Sequence, residues 1–233
     1  MRFFNGKFWR RQWLEWRLSL FVIVFVVVPV KSSFADWNWV PSSSMNPTIL
    51  EGDLVFVNKA AYDLRVPLTW KRVSRWSDPQ AGDIVVLFSP DDGIRLVKRV
   101  IGVPGDTLEM KNNILFLNGK RLKYDLLPDN AIAGLEPDLK ARSVFARETV
   151  GSREHAVMAI PAIATPRRSF GPVQVPESKY FVMGDNRDVS QDSRYFGFAD
   201  REQVIGEATR VIVSFNILDS YQPRLGRFFS RLD

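Results

Sequence analysis

The chain opens with one continuous apolar stretch and then changes character. Leu18 to Val30 reads LSLFVIVFVVVPV, thirteen residues without a charge, closed by Arg17 and Lys31. Beyond it, short apolar runs alternate with turn formers: DLVFVNK at 53–59, DIVVLFS at 83–89, IRLVKRVIGV at 94–103 and ILFLNG at 114–119. Runs of this length, rich in Val, Ile and Phe and bounded by Gly, Pro, Asn and Asp, predict strands. Asn112-Asn113 and Asn118-Gly119 fall where tight hairpin turns belong, and Pro104-Gly105-Asp106 marks another turn. The pattern predicts a mainly β fold with an antiparallel, meandering sheet.

From about Lys120 to Pro176 the periodicity weakens, with Pro128, Pro137, Pro161, Pro166 and Pro172 scattered through polar and basic sequence. Strand character returns with KYFVMGD at 179–185 and ATRVIVSF at 208–215. The expected division is therefore a basic tail at 1–17, an apolar anchor at 18–35 and the first half of a core at 36–119. An inserted, β-rich domain at 120–176, the second half of the core at 177–222 and a tail at 223–233 complete it. The fourteen Gly and fourteen Pro fit a body of many turns rather than long helices.

Thirteen apolar residues are fewer than the ~20 a bilayer core needs, and a signal-peptide core has this length too, with Ser33-Phe34-Ala35 resembling a cleavage site. Trp13, Trp16, Trp37 and Trp39 nevertheless bracket the run as interfacial aromatics, and Arg17 and Lys31 can snorkel outward. A retained, single-pass anchor is expected. The positive-inside rule then keeps the N-terminus cytoplasmic and sends the body out of the cytoplasm. Ser44, thirteen residues beyond Lys31, lies within roughly 45 Å of the interface. Trp70 and Trp76, beside Lys71, Arg72 and Arg75, suit a packed loop and a membrane-touching surface equally.

Charge changes this picture little. The net +6 is concentrated in the first 17 residues, where Arg2, Lys7, Arg10, Arg11 and Arg17 outnumber Glu15 by four. A basic tail without a basic face argues against nucleic acid as a partner. There is no cysteine, which excludes disulfides and thiolate chemistry, and His155 is the single histidine.

Three segments carry candidate chemistry. In VPSSSMNPTILEGD, 40–53, Pro41 and Pro47 stiffen the backbone around Ser44, and Gly52-Asp53 turns into a strand. The segment reads as a polar loop as readily as a rigid mount for a nucleophile. In the run 94–101, strand alternation puts Leu96, Lys98 and Val100 on one face, so Lys98 points among apolar neighbours. Desolvation can make a lysine amine a base near neutral pH, though an edge lysine reaching water fits the same pattern. The third, GDNRDVSQDSR at 184–194, sets Arg187 and Arg194 amid Asp185, Asp188 and Asp192, which suits an ion-pair scaffold better than a calcium loop.

Taken in order, PSSSMNPT, GDIVV, KRVIGVPGD and GDNRDVSQDSRYFG resemble the boxes of the bacterial type I signal peptidases, membrane-bound serine enzymes that remove signal peptides from exported proteins. The resemblance implies Ser44 as nucleophile, Lys98 as general base, and Ser42 with the Ser44 N–H as oxyanion hole. It implies that Ser190 orients Lys98, and that Asp185 pairs with Arg99 and Asp192 with Arg194. It also implies cleavage after small residues at −1 and −3, with Val40, Met45, Ile49, Leu96 and Val97 lining the pockets or packing in the core. Preproteins and the lipid bilayer are the partners implied, with no metal or other cofactor, a monomeric state and a bacterial inner-membrane location. Ser43 stands where the family often has glycine, and Arg95 where it often has an acidic or aromatic residue. His155 lacks a partner motif, which leaves it a structural or substrate-domain role. Two other readings remain: a specialised Ser/Lys peptidase of conjugation or pilus maturation, and an inactive, membrane-tethered binding module.

Overall fold

The computed structural model describes residues 13, 16–69, 71–128 and 131–232, so most of the basic tail and Trp70 lie outside the described residues. The chain divides into two compact units, Met1–Asp36 with Lys59–Ser77, and Trp37–Asn58 with Asp78–Asp233.

In the smaller unit, Trp16–Ser33 is the one helix among the described residues that is long and apolar enough to cross a membrane, at 18 residues. It exceeds the uncharged run at both ends by recruiting Trp16, Arg17 and Lys31 into helical turns. The helix widens to π geometry at Ile23–Val27, with the Val28 N–H bonded to the Ile23 carbonyl. Pro29 gives the reason, since its ring would collide with the carbonyl four residues back and it offers no N–H. The unit also holds a two-stranded ribbon, Asp63–Arg65 with Arg72–Arg75. There the buried Asp63 carboxylate takes Arg65 Nε at 3.2 Å and Arg72 Nε at 2.8 Å, while Trp76 is exposed.

The larger unit is built on an eight-stranded sheet. In spatial order it runs Ala35–Trp39, Asp53–Asn58, Val204–Asn216, Ile84–Phe88, Arg95–Gly102, Lys179–Met183 and Ala199–Asp200, with Gln222–Pro223 paired to Val204–Asn216. This is not the meander expected from the sequence. The thirteen-residue strand Val204–Asn216 arrives late in the chain yet sits centrally, antiparallel to Asp53–Asn58 on one side and Ile84–Phe88 on the other. Its Ile205, Ala208 and Val211 are buried in one core with Val55, Val57, Ile84 and Val86, a burial that an edge position would forfeit.

A four-stranded sheet orders Phe170–Gln174, Thr107–Lys111, Ile114–Leu117 and Lys120–Arg121. Its hairpin turns use the left-handed backbone of Asn112, Asn113, Asn118 and Gly119, at φ of 49°, 65°, 52° and 76°. A three-stranded sheet joins Lys123–Leu127, Val144–Val150 and Arg153–Ala159. Residues 120–176 thus contain long strands where the sequence showed weak periodicity. The cause lies in two buried positions, Glu148 and His155, which face each other across that hairpin and carry polar side chains where alternation calls for apolar ones.

Candidate active site

Ser44 sits on a single 3-10 turn, Ser43–Met45, between extended segments. The turn is closed by the Asn46 N–H on the Ser43 carbonyl at 3.0 Å and seated by Met45, which is fully buried. Downstream, Leu50 N–H and Arg227 Nη2 converge on the Asp53 carboxylate at 2.8 and 2.6 Å, and Arg227 Nη2 also bonds the Thr48 carbonyl at 2.9 Å. Gly52 ends the loop at φ +85°, where a Cβ would stand 2.0 Å from the Phe215 carbonyl oxygen. No other residue fits there.

Lys98 lies mid-strand in Arg95–Gly102, opposite Val85. Its side chain is 3% exposed, and Nζ donates to Ser44 Oγ at 2.7 Å and to the Val97 carbonyl at 3.0 Å. Burial pulls the amine down to about 8; Asp192 and Asp185 oppose that pull, and Arg194 adds to it. A lysine held this way is neutral in an appreciable fraction of molecules near neutral pH.

The strand and the 184–194 segment are joined by charge. Arg99 clasps Asp185 through Nε and Nη2, both at 2.9 Å, and its Nη1 reaches the Gly82 carbonyl at 2.9 Å. Asp192 holds Arg194 through Nε and Nη2 at 2.9 and 2.8 Å, and takes the Gly184 N–H at 3.0 Å. Burial alone would raise both carboxyls, but the facing guanidiniums hold them below the usual carboxylate range.

A cleft of about 370 Å³ is lined by Ser42, Ser43, Ser44, Leu96, Lys98, Val189, Ser190, Gln191 and Tyr195. Ser42 and Ser44 therefore share one wall with Lys98. Ser190 shares the cleft too and is buried, but its hydroxyl is not bonded to the amine and acts instead on the Asp192 carboxylate, which it helps to hold ionised. Of the five apolar residues expected to line pockets or pack in the core, Leu96 is in the cleft. Val40, Met45, Ile49 and Val97 belong to the hydrophobic core beneath the sheet. Among the described residues no group of three or more His, Asp or Glu side chains is placed to hold a metal ion.

Four contributions escaped the sequence reading. Asn186 pins the Ser44 turn, its N–H on the Ser44 carbonyl at 3.1 Å and its Nδ2 on the Ser43 carbonyl at 3.2 Å. Gly184 makes room for that contact, since a Cβ there would lie 2.3 Å from both the Ser44 carbonyl oxygen and Ser190 Oγ. Val189 and Tyr195 wall the cleft, and the Tyr195 hydroxyl lies 3.0 Å from Thr165 Oγ1. His155 has partners after all: its Nε2 is 3.2 Å from Glu148 Oε1 and 3.8 Å from Asp185 Oδ1. Asn186 and Gly184 were visible as letters of a turn-rich segment, but the contacts that matter cross more than a hundred residues of chain.

A family model described as signal peptidase, peptidase S26, matches residues 13–213. The chain belongs to this family. The signal peptidase I of Pseudomonas fluorescens is 34% identical over 221 residues, covering 87% of this chain and 73% of its own. That of Bacillus licheniformis is 32% identical over 203 residues, covering 87% and 89%. The crystal structure of a signal peptidase I from Enterococcus faecalis aligns at 31% identity over 57% of this chain and 98% of its own, with a TM-score of 0.36. As a member of the signal peptidase family, the chain is a serine endopeptidase of the type I class, and its substrates are preproteins bearing signal peptides.

Proposed function

We propose that signal-peptide removal here runs on a Ser44–Lys98 pair, with Ser44 as nucleophile and Lys98 as general base. The observation that carries this reading is the 2.7 Å contact to the Ser44 hydroxyl from a buried amine whose pKa burial pulls down to about 8. A serine hydroxyl attacks a peptide carbonyl only if its proton is removed as it does so, and the neutral form of Lys98 is within reach of that proton. Ser44 Oγ adds to the scissile carbonyl while Lys98 takes the proton. The negative oxygen of the tetrahedral intermediate is met by Ser42 Oγ and the Ser44 N–H. Lys98 then gives that proton to the leaving amine, and, neutral again, Lys98 draws a proton from the water that hydrolyses the acyl-enzyme. No cofactor takes part.

Leu96 and Val189 give the cleft apolar walls close to the pair, which favours small residues at −1 and −3 of the substrate. The 18-residue helix Trp16–Ser33, flanked by exposed Trp13, Trp16 and Trp37, supports a retained single-pass anchor in the bacterial inner membrane. Its N-terminus is cytoplasmic and its catalytic unit outside, as a monomer. The division into a two-part catalytic core around an insertion at 120–176 belongs to the same reading.

The deciding experiment is cleavage of an exported preprotein by detergent-solubilised enzyme carrying Ser44→Ala or Lys98→Ala. Each variant is expected to lose activity by roughly 10⁴-fold or more while its circular dichroism stays native. Wild-type rates in either would sink the assignment.

A further inference from the structure

A second buried charge cluster adjoins the Ser44–Lys98 pair without entering its chemistry. Glu148 and His155 face each other across the hairpin Val144–Val150 and Arg153–Ala159, and both are buried. The Glu148 carboxylate receives Arg187 Nη2 and the Tyr124 hydroxyl. His155 Nε2 lies between Glu148 Oε1 and Asp185 Oδ1, and Asp185 is the carboxylate clasped by Arg99, the neighbour of Lys98. Two carboxylates and two guanidiniums therefore balance around one imidazole, which burial and Arg99 keep neutral.

The hairpin is also tied to the active-site segment through backbone. The Met158 N–H donates to the Asp185 carbonyl and the Arg187 N–H to the Met158 carbonyl, both at 2.9 Å. Asn186, held between those two bonds, is the residue that grips the Ser43 and Ser44 carbonyls. A shift of the hairpin against residues 185–187 must therefore move the Ser44 turn.

We propose that Glu148 and His155 are positioning residues, through which the inserted hairpin fixes residues 185–187 and so sets Ser44 against Lys98. The inference rests on the Ser44–Lys98 reading and gives residues 120–176 a part in it. The Glu148 oxygen 3.2 Å from Nε2 favours the tautomer that carries its proton there, and the neutral imidazole separates Glu148 from Asp185, whose oxygen at 3.8 Å lies beyond hydrogen-bond reach. Leucine at 155 fills similar space but leaves the two carboxylates facing each other. Glutamine restores an N–H donor near the Nε2 position.

The test is steady-state kinetics of the full chain in detergent on a preprotein, with circular dichroism of each variant. His155→Leu is expected to lower kcat about tenfold or more with KM changed less than about twofold, since misplacement of the nucleophile costs rate rather than binding. His155→Gln recovers most of that loss. Glu148→Gln lowers kcat in the same way, with KM changed less than about twofold. The acidic limb of the kcat profile holds its place, because the charged groups that face Lys98 are Asp192, Asp185 and Arg194. If Glu148→Gln fails to fold, Glu148→Gln combined with Arg187→Leu removes both charges together and must show the same loss of kcat. Folded His155→Leu and Glu148→Gln variants with wild-type kcat overturn the proposal. Ser44→Ala, run alongside, separates the two ideas. Activity in Ser44→Ala overturns the Ser44–Lys98 pair, whereas an inactive Ser44→Ala beside a fully active His155→Leu overturns only the positioning role.

Discussion

Lys98 Nζ stands 2.7 Å from Ser44 Oγ while its side chain is almost completely removed from water. The contact joins a loop and a strand 54 residues apart in sequence. Burial of the amine makes it a base at ordinary pH and, for the same reason, makes it costly to the fold.

Activity should therefore rise with pH through a midpoint near the value of about 8 held by the amine, because only the neutral form can accept the Ser44 proton. The kcat/KM profile of the free enzyme on a preprotein measures this. A profile flat between pH 6 and 9 would contradict a lysine base.

Stability should move oppositely to the usual salt-bridged lysine. The folded-state value lies below the unfolded 10.5, so below about pH 8 the full cost of a buried ammonium is present. Between about 8 and 10.5 the unfolded chain binds more protons than the folded one, and that cost fades as pH rises. Lys98→Met should thus be inactive yet more stable than wild type at pH 6, by up to about 3 kcal/mol. The difference should shrink towards pH 10.5 in paired thermal melts.

The Arg99–Asp185 pair sets a different expectation. Both side chains are sealed from water, and Arg99 spends three donors on Asp185 and the Gly82 carbonyl. Removing one partner leaves an uncompensated buried charge, so Asp185→Asn should cost about 3–5 kcal/mol in denaturant melts. Arg99→Lys should behave almost as badly, because a single ammonium cannot fork to two oxygens and also reach a third. A loss below about 1 kcal/mol in both would mean the pair is dispensable to the fold.

The strands were legible in the sequence because their apolar alternation is local: the runs at 53–59, 83–89, 94–103 and 114–119 correspond to Asp53–Asn58, Ile84–Phe88, Arg95–Gly102 and Ile114–Leu117. Lys98 was legible for the same reason, as a charge on an apolar strand face. Sheet order was not legible, since nothing local in 204–216 tells a central strand from an edge. The hairpin in 120–176 was hidden by Glu148 and His155, whose burial depends on Arg187, Tyr124 and Asp185 far away in sequence. The apolar residues around Ser44 left lining and core packing equally open for a related reason: Val40, Met45, Ile49 and Val97 pack in the core, and residue type alone does not separate support from lining.

Ser190 supplies a graded test. Its Oγ shares the cleft with Lys98 but is not bonded to the amine. Ser190→Ala should therefore reduce kcat by about tenfold at most, far less than Ser44→Ala. A loss equal to that of Ser44→Ala would require the hydroxyl to turn onto the amine when substrate is bound.

Gly184 should be the more sensitive position, although it carries no chemistry. A methyl group there would meet the Ser44 carbonyl oxygen and Ser190 Oγ, both at 2.3 Å, well inside contact distance. Rotation can carry Ser190 Oγ aside but not its Cβ, at 2.7 Å, and the Ser44 carbonyl is backbone and already bonded to the Asn186 N–H. The Ser44 turn must then retreat from the 184–186 segment, carrying Oγ away from Lys98. Overpacking of this kind costs about 1–3 kcal/mol of stability, and a nucleophile displaced by ~1 Å loses on the order of a hundredfold in rate. Gly184→Ala should thus retain a cooperative melt at a lowered midpoint and lose most of its kcat on a preprotein. Wild-type kcat in that variant would show that the Ser44 turn tolerates movement, and that the 2.7 Å contact is not what limits the reaction.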